Sequence, residues 1–283
     1  MAIFQDLITW RFWRHFITWS FACFGAFSTI LQTSNVLFPN ITTFQGVPTL
    51  ITVVVVSILA GLFWSWPRPI SQEYSLPKTK ISIVKGNLLH EKHHLVIGTC
   101  DTFDTETPII ISKSSLQGQA LDFLFGGDVQ ELDRLLATAL AGKPVVGNIF
   151  KNGKQAKYGV GTIATVKHAS RLIFFSAYSE MDMNNVAGST PDQVWKSLQM
   201  LWVEVSNRSN GAAVSIPVIG GGQARLSNII PAQDAIRLII LSFMFSSRIR
   251  KVCDELRIVV SQSDYKKLDR LELQSFLSSL RSS

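Results

Sequence analysis

The stretch Ile216-Pro217-Val218-Ile219-Gly220-Gly221-Gly222-Gln223-Ala224-Arg225-Leu226 runs from an apolar, β-branched segment straight into three consecutive glycines. β-branched residues suit a strand, and glycine lets backbone N–H groups approach a ligand with no Cβ in the way. Successive N–H groups of that kind form a nest for phosphates. In open α/β sheets, ligands sit beyond the carboxyl ends of strands, where this loop would lie. Arg225, just past the glycines, is placed to pair with a phosphate, though it also suits an ordinary surface position. The same glycines suit a plain tight turn, so the decision rests on the rest of the chain.

Working outward, the chain from residue 80 alternates strands and helices. Lys80-Ile81-Ser82-Ile83-Val84 has the two-residue period of a strand, and 94–98 reads as a second, buried one. Residues 128–140 read as a helix with Leu132, Leu135, Leu136 and Leu140 on one face. Segments 145–150, 159–166 and 171–177 are strand-like. Thr190-Pro191-Asp192-Gln193 has the form of a capping box with proline at the first helical position. Val194, Leu198, Leu201, Trp202 and Val205 follow at helical spacing. Residues 213–216 give another strand. Pro231 opens a helix carrying Ile236, Ile239, Ile240 and Phe243, with an uncharged window at 238–247 too short to span a bilayer. Residues 257–260 give a last strand and 265–280 a last helix. The alternation predicts a three-layer α/β/α domain over 80–283.

The N-terminal quarter is different. From His15 to Trp66 there are 52 consecutive residues without Lys, Arg, Asp or Glu, in a chain that is 17% charged. A bilayer span needs about 20 apolar residues, and the stretch holds two, at 16–36 and 47–66. Between them Pro39 and Gly46 bound a short turn. Lipid offers the backbone no water, so both segments are expected to be helical. Arg11 and Arg14 precede the first span, Arg68, Lys78, Lys80 and Lys85 follow the second, and the turn has no positive charge. The positive-inside rule then places both termini in the cytoplasm. Trp10, Trp13, Trp19, Trp64 and Trp66 cluster near that face, as interfacial aromatics do. Residues 1–66 therefore read as a transmembrane hairpin and 67–79 as a linker, with Pro67 and Pro69 ending the second helix. Gln32, Thr33, Ser34 and Asn35 either lie at an interface or line a pore on oligomerisation. They offer no convincing signal-peptide cleavage site.

Other chemistries find little support. The net charge of +7 is dispersed, which disfavours a nucleic-acid partner. Cys23, Cys100 and Cys253 share no spacing, which disfavours a disulfide framework or zinc site and suits a reducing compartment. His90-Glu91-Lys92-His93-His94 lacks the i, i+4 histidines of a zincin. His168 is isolated. Asp101, Asp104 and Glu106 could work as an acid/base group or simply be solvated. No metal ligand and no catalytic residue is assigned.

Two more strand ends complete the pattern: Val84-Lys85-Gly86-Asn87-Leu88, and Gly98-Thr99-Cys100-Asp101-Thr102-Phe103-Asp104. A third segment, Ser114-Ser115-Leu116-Gln117-Gly118-Gln119, begins a helix whose N–H groups could hold an anion. On these residues the soluble part resembles a macro domain, the fold that binds ADP-ribose. Asp101 to Asp104, Ser115 to Gln119 and Ile216 to Gly220 are similar to the divergent macro domains of the Thoeris antiphage system, over about residues 80–262, and a two-span anchor precedes that domain in the group.

The resemblance implies an effector rather than an enzyme, with no cofactor. Its signal would be histidine–ADP-ribose, made by a NAD-consuming TIR-domain partner. Ligand binding would assemble the chain into a homo-oligomer that breaks the bacterial inner membrane. Gly220, Gly221, Gly222 and Gln223 would hold the diphosphate, with Arg225 nearby. Asn87 would lie near the adenine. Asp101, Thr102 and Phe103 would lie near the sugar or histidine end, and Ser115, Leu116, Gln117 and Gly118 would complete the site. The chain departs from the family at Asn87, where Asp is usual, and in lacking an Asn-Ala-Ala-Asn-type motif, which disfavours hydrolysis. The alternative is a membrane-anchored enzyme acting on ADP-ribosylated substrates.

Overall fold

The computed structural model describes residues 10–38, 46–66, 69–219 and 230–281. They fall into two compact units, Met1–Arg68 and Pro69–Ser283.

The first unit is a pair of packed helices, α1 (Trp10–Leu37) and α2 (Val47–Ser65). Both are long and apolar enough to cross a membrane. Their contact uses small residues, which let two helices approach closely. A Cβ on Gly61 would collide with Ser20 Oγ and lie 3.1 Å from the Phe16 carbonyl oxygen. Trp19 and Trp64 meet edge to face at 4.5 Å between ring centroids. α1 starts at Trp10 rather than at 16, because a helix does not stop where an uncharged stretch gives way to charge. Trp13 and Arg14 continue it. α2 ends at Ser65, with Trp66 already extended. Of the expected turn, 39–45 lies outside the described residues, as do Pro67 and Arg68.

The second unit opens with a strand where the sequence suggests linker. β1 (Ile70–Tyr74) pairs antiparallel with β2 (Thr79–Lys85), Ile70 opposite Ile83 and Tyr74 opposite Thr79. Its buried face carries only two apolar residues, Ile70 and Tyr74, around a buried Gln72, so its period is faint. Tertiary bonds hold it: Tyr74 donates its hydroxyl hydrogen to the Leu277 carbonyl at 2.7 Å. Then follow β3 (His94–Cys100), α3 (Leu116–Phe125), α4 (Val129–Leu140), β4 (Gly147–Asn148), β5 (Ala156–Lys157), β6 (Ile163–His168), β7 (Arg171–Met181), β8 (Ala187–Gly188), α5 (Pro191–Arg208), β9 (Val214–Pro217), α6 (Ala232–Ile249), β10 (Glu255–Val260), α7 (Gln262–Tyr265) and α8 (Arg270–Ser279).

The main sheet runs β1-β2-β10-β9-β3-β7-β6, with β8 beside β7. β2, β10, β9, β3 and β7 are parallel, and β1 and β6 are antiparallel edges. Alternation on β3 separates the two cores. Leu95 and Ile97 pack with Leu121 of α3 and with Leu132 and Leu136 of α4. Val96 packs on the opposite face with Trp202 of α5, Phe243 of α6 and Leu277 of α8. The domain is thus a three-layer α/β/α sandwich around a mixed sheet. The capping box at α5 is present, with Thr190 and Gln193 each accepting the other's backbone N–H.

Other boundaries differ from the sequence reading as well. Residues 145–150 supply only β4, which pairs with β5 in a small separate sheet. β6 starts at Ile163, because Gly159 and Gly161 take φ of 80° and 99° and turn the chain first. Of the helix expected at 265–280 only α8 forms, starting at Arg270, because Asp269 caps it by accepting the Glu272 N–H at 3.1 Å, while the short α7 already ends at Tyr265.

Candidate functional site

The five parallel strands end on the same side, and a cleft of about 950 Å³ opens there. Each strand end contributes. β2 leads into Gly86 and Asn87, β3 supplies Gly98, Thr99 and Cys100, and β7 supplies Tyr178, Ser179 and Met181. β9 leads into Val218 and Ile219, and β10 into Ser261, Gln262 and Asp264. The start of α3 and the turn before β8, Asn185 to Ala187, complete the walls. This is the ligand position of open α/β sheets.

Local sequence explains the shape. A Cβ on Gly98 would run into the Tyr178 ring, so glycine there lets the ring lie across β3 as cleft wall. Burial pushes the Tyr178 hydroxyl up to about 12, and it makes no hydrogen bond among the described residues. Burial also pushes the Cys100 thiol up. Ser115 caps α3, accepting the Gly118 N–H at 3.1 Å while donating to the Ser112 carbonyl at 2.6 Å. A Cβ on Gly118 would collide with that carbonyl, so only glycine permits this loop. The N–H groups of Leu116 and Gln117, at the positive end of the helix, carry no hydrogen bond among the described residues. Two more polar atoms on the wall, Thr99 Oγ1 and Asn185 Oδ1, are buried without a partner there. Buried polar groups are normally hydrogen-bonded, so a polar ligand is the natural partner for this set. Among the described residues no Lys or Arg lines the cleft, and its one carboxylate is Asp264.

Of the residues expected at a site, Asn87, Ser115, Leu116 and Gln117 line the cleft, and Gly118 shapes it from behind. Gly220, Gly221, Gly222, Gln223 and Arg225 lie outside the described residues. Asp101, Thr102 and Phe103 are placed differently from the expectation: all three are fully buried, and none lines the cleft. Their side chains are used up as a brace. Asp101 Oδ1 accepts the Met181 N–H at 2.9 Å, and its Oδ2 lies 3.2 Å from Lys157 Nζ. That ammonium stays charged because Asp101 and Glu180 outweigh its burial, raising its pKa. Thr102 donates to Asp104 Oδ2 at 2.5 Å, and Phe103 sits at φ 53° with its ring against Tyr158. Asp104 pairs with the buried Lys151 at 2.8 Å. The quartet thus ties β3 to β7 and to the β4–β5 hairpin.

Sequence reading missed Tyr178 and Met181 because it ended the strand at 177, where Tyr178-Ser179-Glu180 turns polar. It also missed Thr99, whose hydroxyl carries no local signal. The histidine cluster sits at the start of β3, away from the cleft. His93 Nδ1 bonds Ser215 Oγ at 3.1 Å, and Glu91 pairs with Arg257 at 2.8 Å. Among the described residues no three His, Cys, Asp or Glu side chains could share a metal ion.

Residues 81–261 match the family described as Thoeris protein ThsA, Macro domain. No curated protein is similar to the chain by sequence. Among solved structures, a point mutant of the Oceanobacillus iheyensis macrodomain is similar at a TM-score of 0.52 and 14% identity, over 75% of this chain and 96% of that one. The same macrodomain with ADP gives a TM-score of 0.50 at 14% identity, over 75% and 99%. At that identity the likeness concerns the fold.

Proposed function

The chain belongs to the ThsA macro-domain family of Thoeris proteins, and from that premise we propose that it is a ligand-gated membrane effector of antiphage defence. Residues 80–283 bind an ADP-ribose derivative in the cleft, histidine–ADP-ribose from a TIR-domain partner being the first candidate. α1 and α2 sit in the bacterial inner membrane with the binding domain on the cytoplasmic side. Ligand drives copies of the chain together, the membrane loses integrity, and the infected cell dies or stops growing.

The observation that carries the reading is the cleft itself. It lies at the ends of five parallel strands, with open N–H groups on α3 and orphaned oxygens on Thr99 and Asn185. The macrodomain of Oceanobacillus iheyensis, similar in fold, has been solved with ADP, which supports a nucleotide as occupant. Binding is favoured over turnover by the groups present. Burial keeps Cys100 and Tyr178 protonated near neutral pH, and no histidine lines the cleft among the described residues.

Calorimetry on the full chain in detergent micelles tests the binding step. ADP-ribose and its histidine conjugate should release heat; none from a folded protein with either would sink the reading. For the output, cells supplied with ligand should depolarise, and removing residues 1–66 should abolish toxicity while leaving binding. Toxicity that survived the truncation would contradict the membrane role.

A further inference from the structure

β7 runs the height of the sheet, from Arg171 to Met181, about 33 Å at the rise of a strand. Charges that look dispersed along the chain gather at its two ends.

At the end away from the cleft, the starts of β3 and β7 and the close of β6 bring three cations together. Arg171 opens β7 and donates to the Glu91 carbonyl, which sets it beside Lys92. Lys167 stands opposite Leu172 on the neighbouring strand. Lys92 and Lys167 are exposed. The adjoining carboxylates point elsewhere: Glu91 pairs with Arg257 at 2.8 Å, and Asp122 lies beside Gly127. Phe123, 56% exposed, stands at the same end, its ring 5.2 Å from His90.

At the cleft end, β7 closes with Glu180, the turn beyond it carries Asp182, and Asp192 lies in the first turn of α5. All three are exposed. Gln193 Nε2 donates to Glu180 Oε1 at 2.9 Å, which holds the start of α5 against β7. The cations nearby are engaged: Lys157 lies between Asp101 and Glu180, and Lys196 is laid along Gly161. Met183, 70% exposed, follows Asp182. This turn is also cleft wall. Asp182 Oδ1 accepts the N–H groups of Asn184 and Val186 at 2.8 and 2.7 Å, and Asn185 to Ala187 line the cleft. A ligand that engages the orphaned Asn185 Oδ1 therefore holds the acidic end in place.

Opposite fields attract and like fields repel, so a second copy meets this one basic end to acidic end, and not by a two-fold pairing of like ends. We propose that ligand joins copies head to tail, Lys92, Lys167 and Arg171 of one against Glu180, Asp182 and Asp192 of the next. Met183 on Phe123 supplies the apolar anchor, a sulfur–aromatic contact. Each contact leaves one free end of either sign, so the series continues past two copies. The assignment rests on the cleft being the ligand site and on ligand drawing copies together.

Sedimentation of the full chain in micelles, with ADP-ribose to fill the cleft, tests it. At low salt the ligand should drive the unaltered protein into particles of more than two copies. About 1 M salt, where the screening length is about 3 Å, should disperse them. Lys92→Glu with Lys167→Glu leaves both ends acidic, and Glu180→Lys with Asp192→Lys leaves both ends basic. Each double change turns attractions of about 1.4- to 5-fold apiece into repulsions, so either variant alone should associate about 10-fold more weakly. Mixed one to one, the two should recover, because every contact again joins opposite charges. Thermal unfolding and ADP-ribose calorimetry on each variant should match the unaltered protein, since the changed side chains are exposed and lie off the cleft wall. Variants that associate as the unaltered protein does, or a mixture that fails to recover, overturn the assignment. So does an unaltered protein that binds ADP-ribose yet shows no ligand-dependent association, and that outcome leaves the cleft reading intact. Failure of ADP-ribose to bind overturns the cleft reading, and this assignment with it.

Discussion

Replacing Lys151 by methionine removes the ammonium from a fully enclosed ion pair. Its Nζ lies 2.8 Å from Asp104 Oδ2, with the two side chains 0% and 1% exposed. The Asp104 carboxylate would stay behind with two strong donors, the Lys154 N–H at 2.8 Å and the Thr102 hydroxyl at 2.5 Å, and a weak one, the Cys100 thiol at 3.9 Å. Removing one partner of a buried pair costs about 3–5 kcal/mol, because the remaining charge is left uncompensated. The two strong surviving hydrogen bonds place this case at the low end, about 3 kcal/mol. For a domain of this size each kcal/mol moves Tm by about 2–4 °C, so the expected fall is about 6–12 °C. Calorimetric or fluorescence-detected unfolding of the full chain in micelles reads it. A double-mutant cycle with Asp104→Asn should give a coupling of about 1–3 kcal/mol, since the residues are in contact. A Tm shift under about 2 °C together with zero coupling would refute the brace and leave Asp104 free for another role.

Two further outcomes follow from single contacts. Gly98→Ala places a Cβ 2.9 Å from the Cδ1 atom of Tyr178; the ring has to move off the cleft wall, which should cost about 1–3 kcal/mol and weaken ADP binding, as unfolding and calorimetry would show. His94 accepts the Leu172 N–H through Nδ1 at 3.0 Å, so the ring is held neutral, and burial, helped by nearby His93, lowers its pKa below 6.5. The unfolded chain takes up that proton first. This contribution to stability is therefore complete above about pH 6.5 and lost as pH falls from there toward the depressed folded value. Urea midpoints between pH 7.5 and 5 should decline with that profile, and His94→Asn, which keeps an acceptor without a titrating ring, should flatten it.

Strong periodicity made much of the fold legible. The leucines of α4, the capped start of α5 and the alternation on β2 each carry a local signal that tertiary packing only reinforces. β1 carried none. Its partners are distant in sequence, with Ser71 N–H donating to Gln274 Oε1 and Tyr74 bonded to the Leu277 carbonyl. Nothing in Ile70-Ser71-Gln72-Glu73-Tyr74 announces them. The same cause shortened β7 in the sequence reading: Tyr178 and Met181 belong to a strand because Gly98 and Asp101 receive them.

The Asp101 to Asp104 quartet marks where sequence reasoning about a site runs out, and why. A polar, acidic run at the end of a buried strand has the address expected of ligand contact, and the residue just before it, Cys100, does line the cleft. What decides between contact and brace is where the carboxylates find cations. Lys151 lies 47 residues along the chain from its partner Asp104, in a loop segment whose lysines look solvent-facing. With Lys151 enclosed against Asp104 and the half-buried Lys157 paired with Asp101, both carboxylates lie buried and off the cleft wall. The segment then acts on the cleft only through backbone and neighbours, as where the Asp104 carbonyl accepts from Gln117 Nε2 at 2.5 Å. A wall whose open donors are the α3 N–H groups, braced from behind by the buried Asp101, Asp104 and Lys151, suits an anionic group at that end. The charges fix the geometry, and the open N–H groups of α3 can meet phosphate without any cation in the described wall.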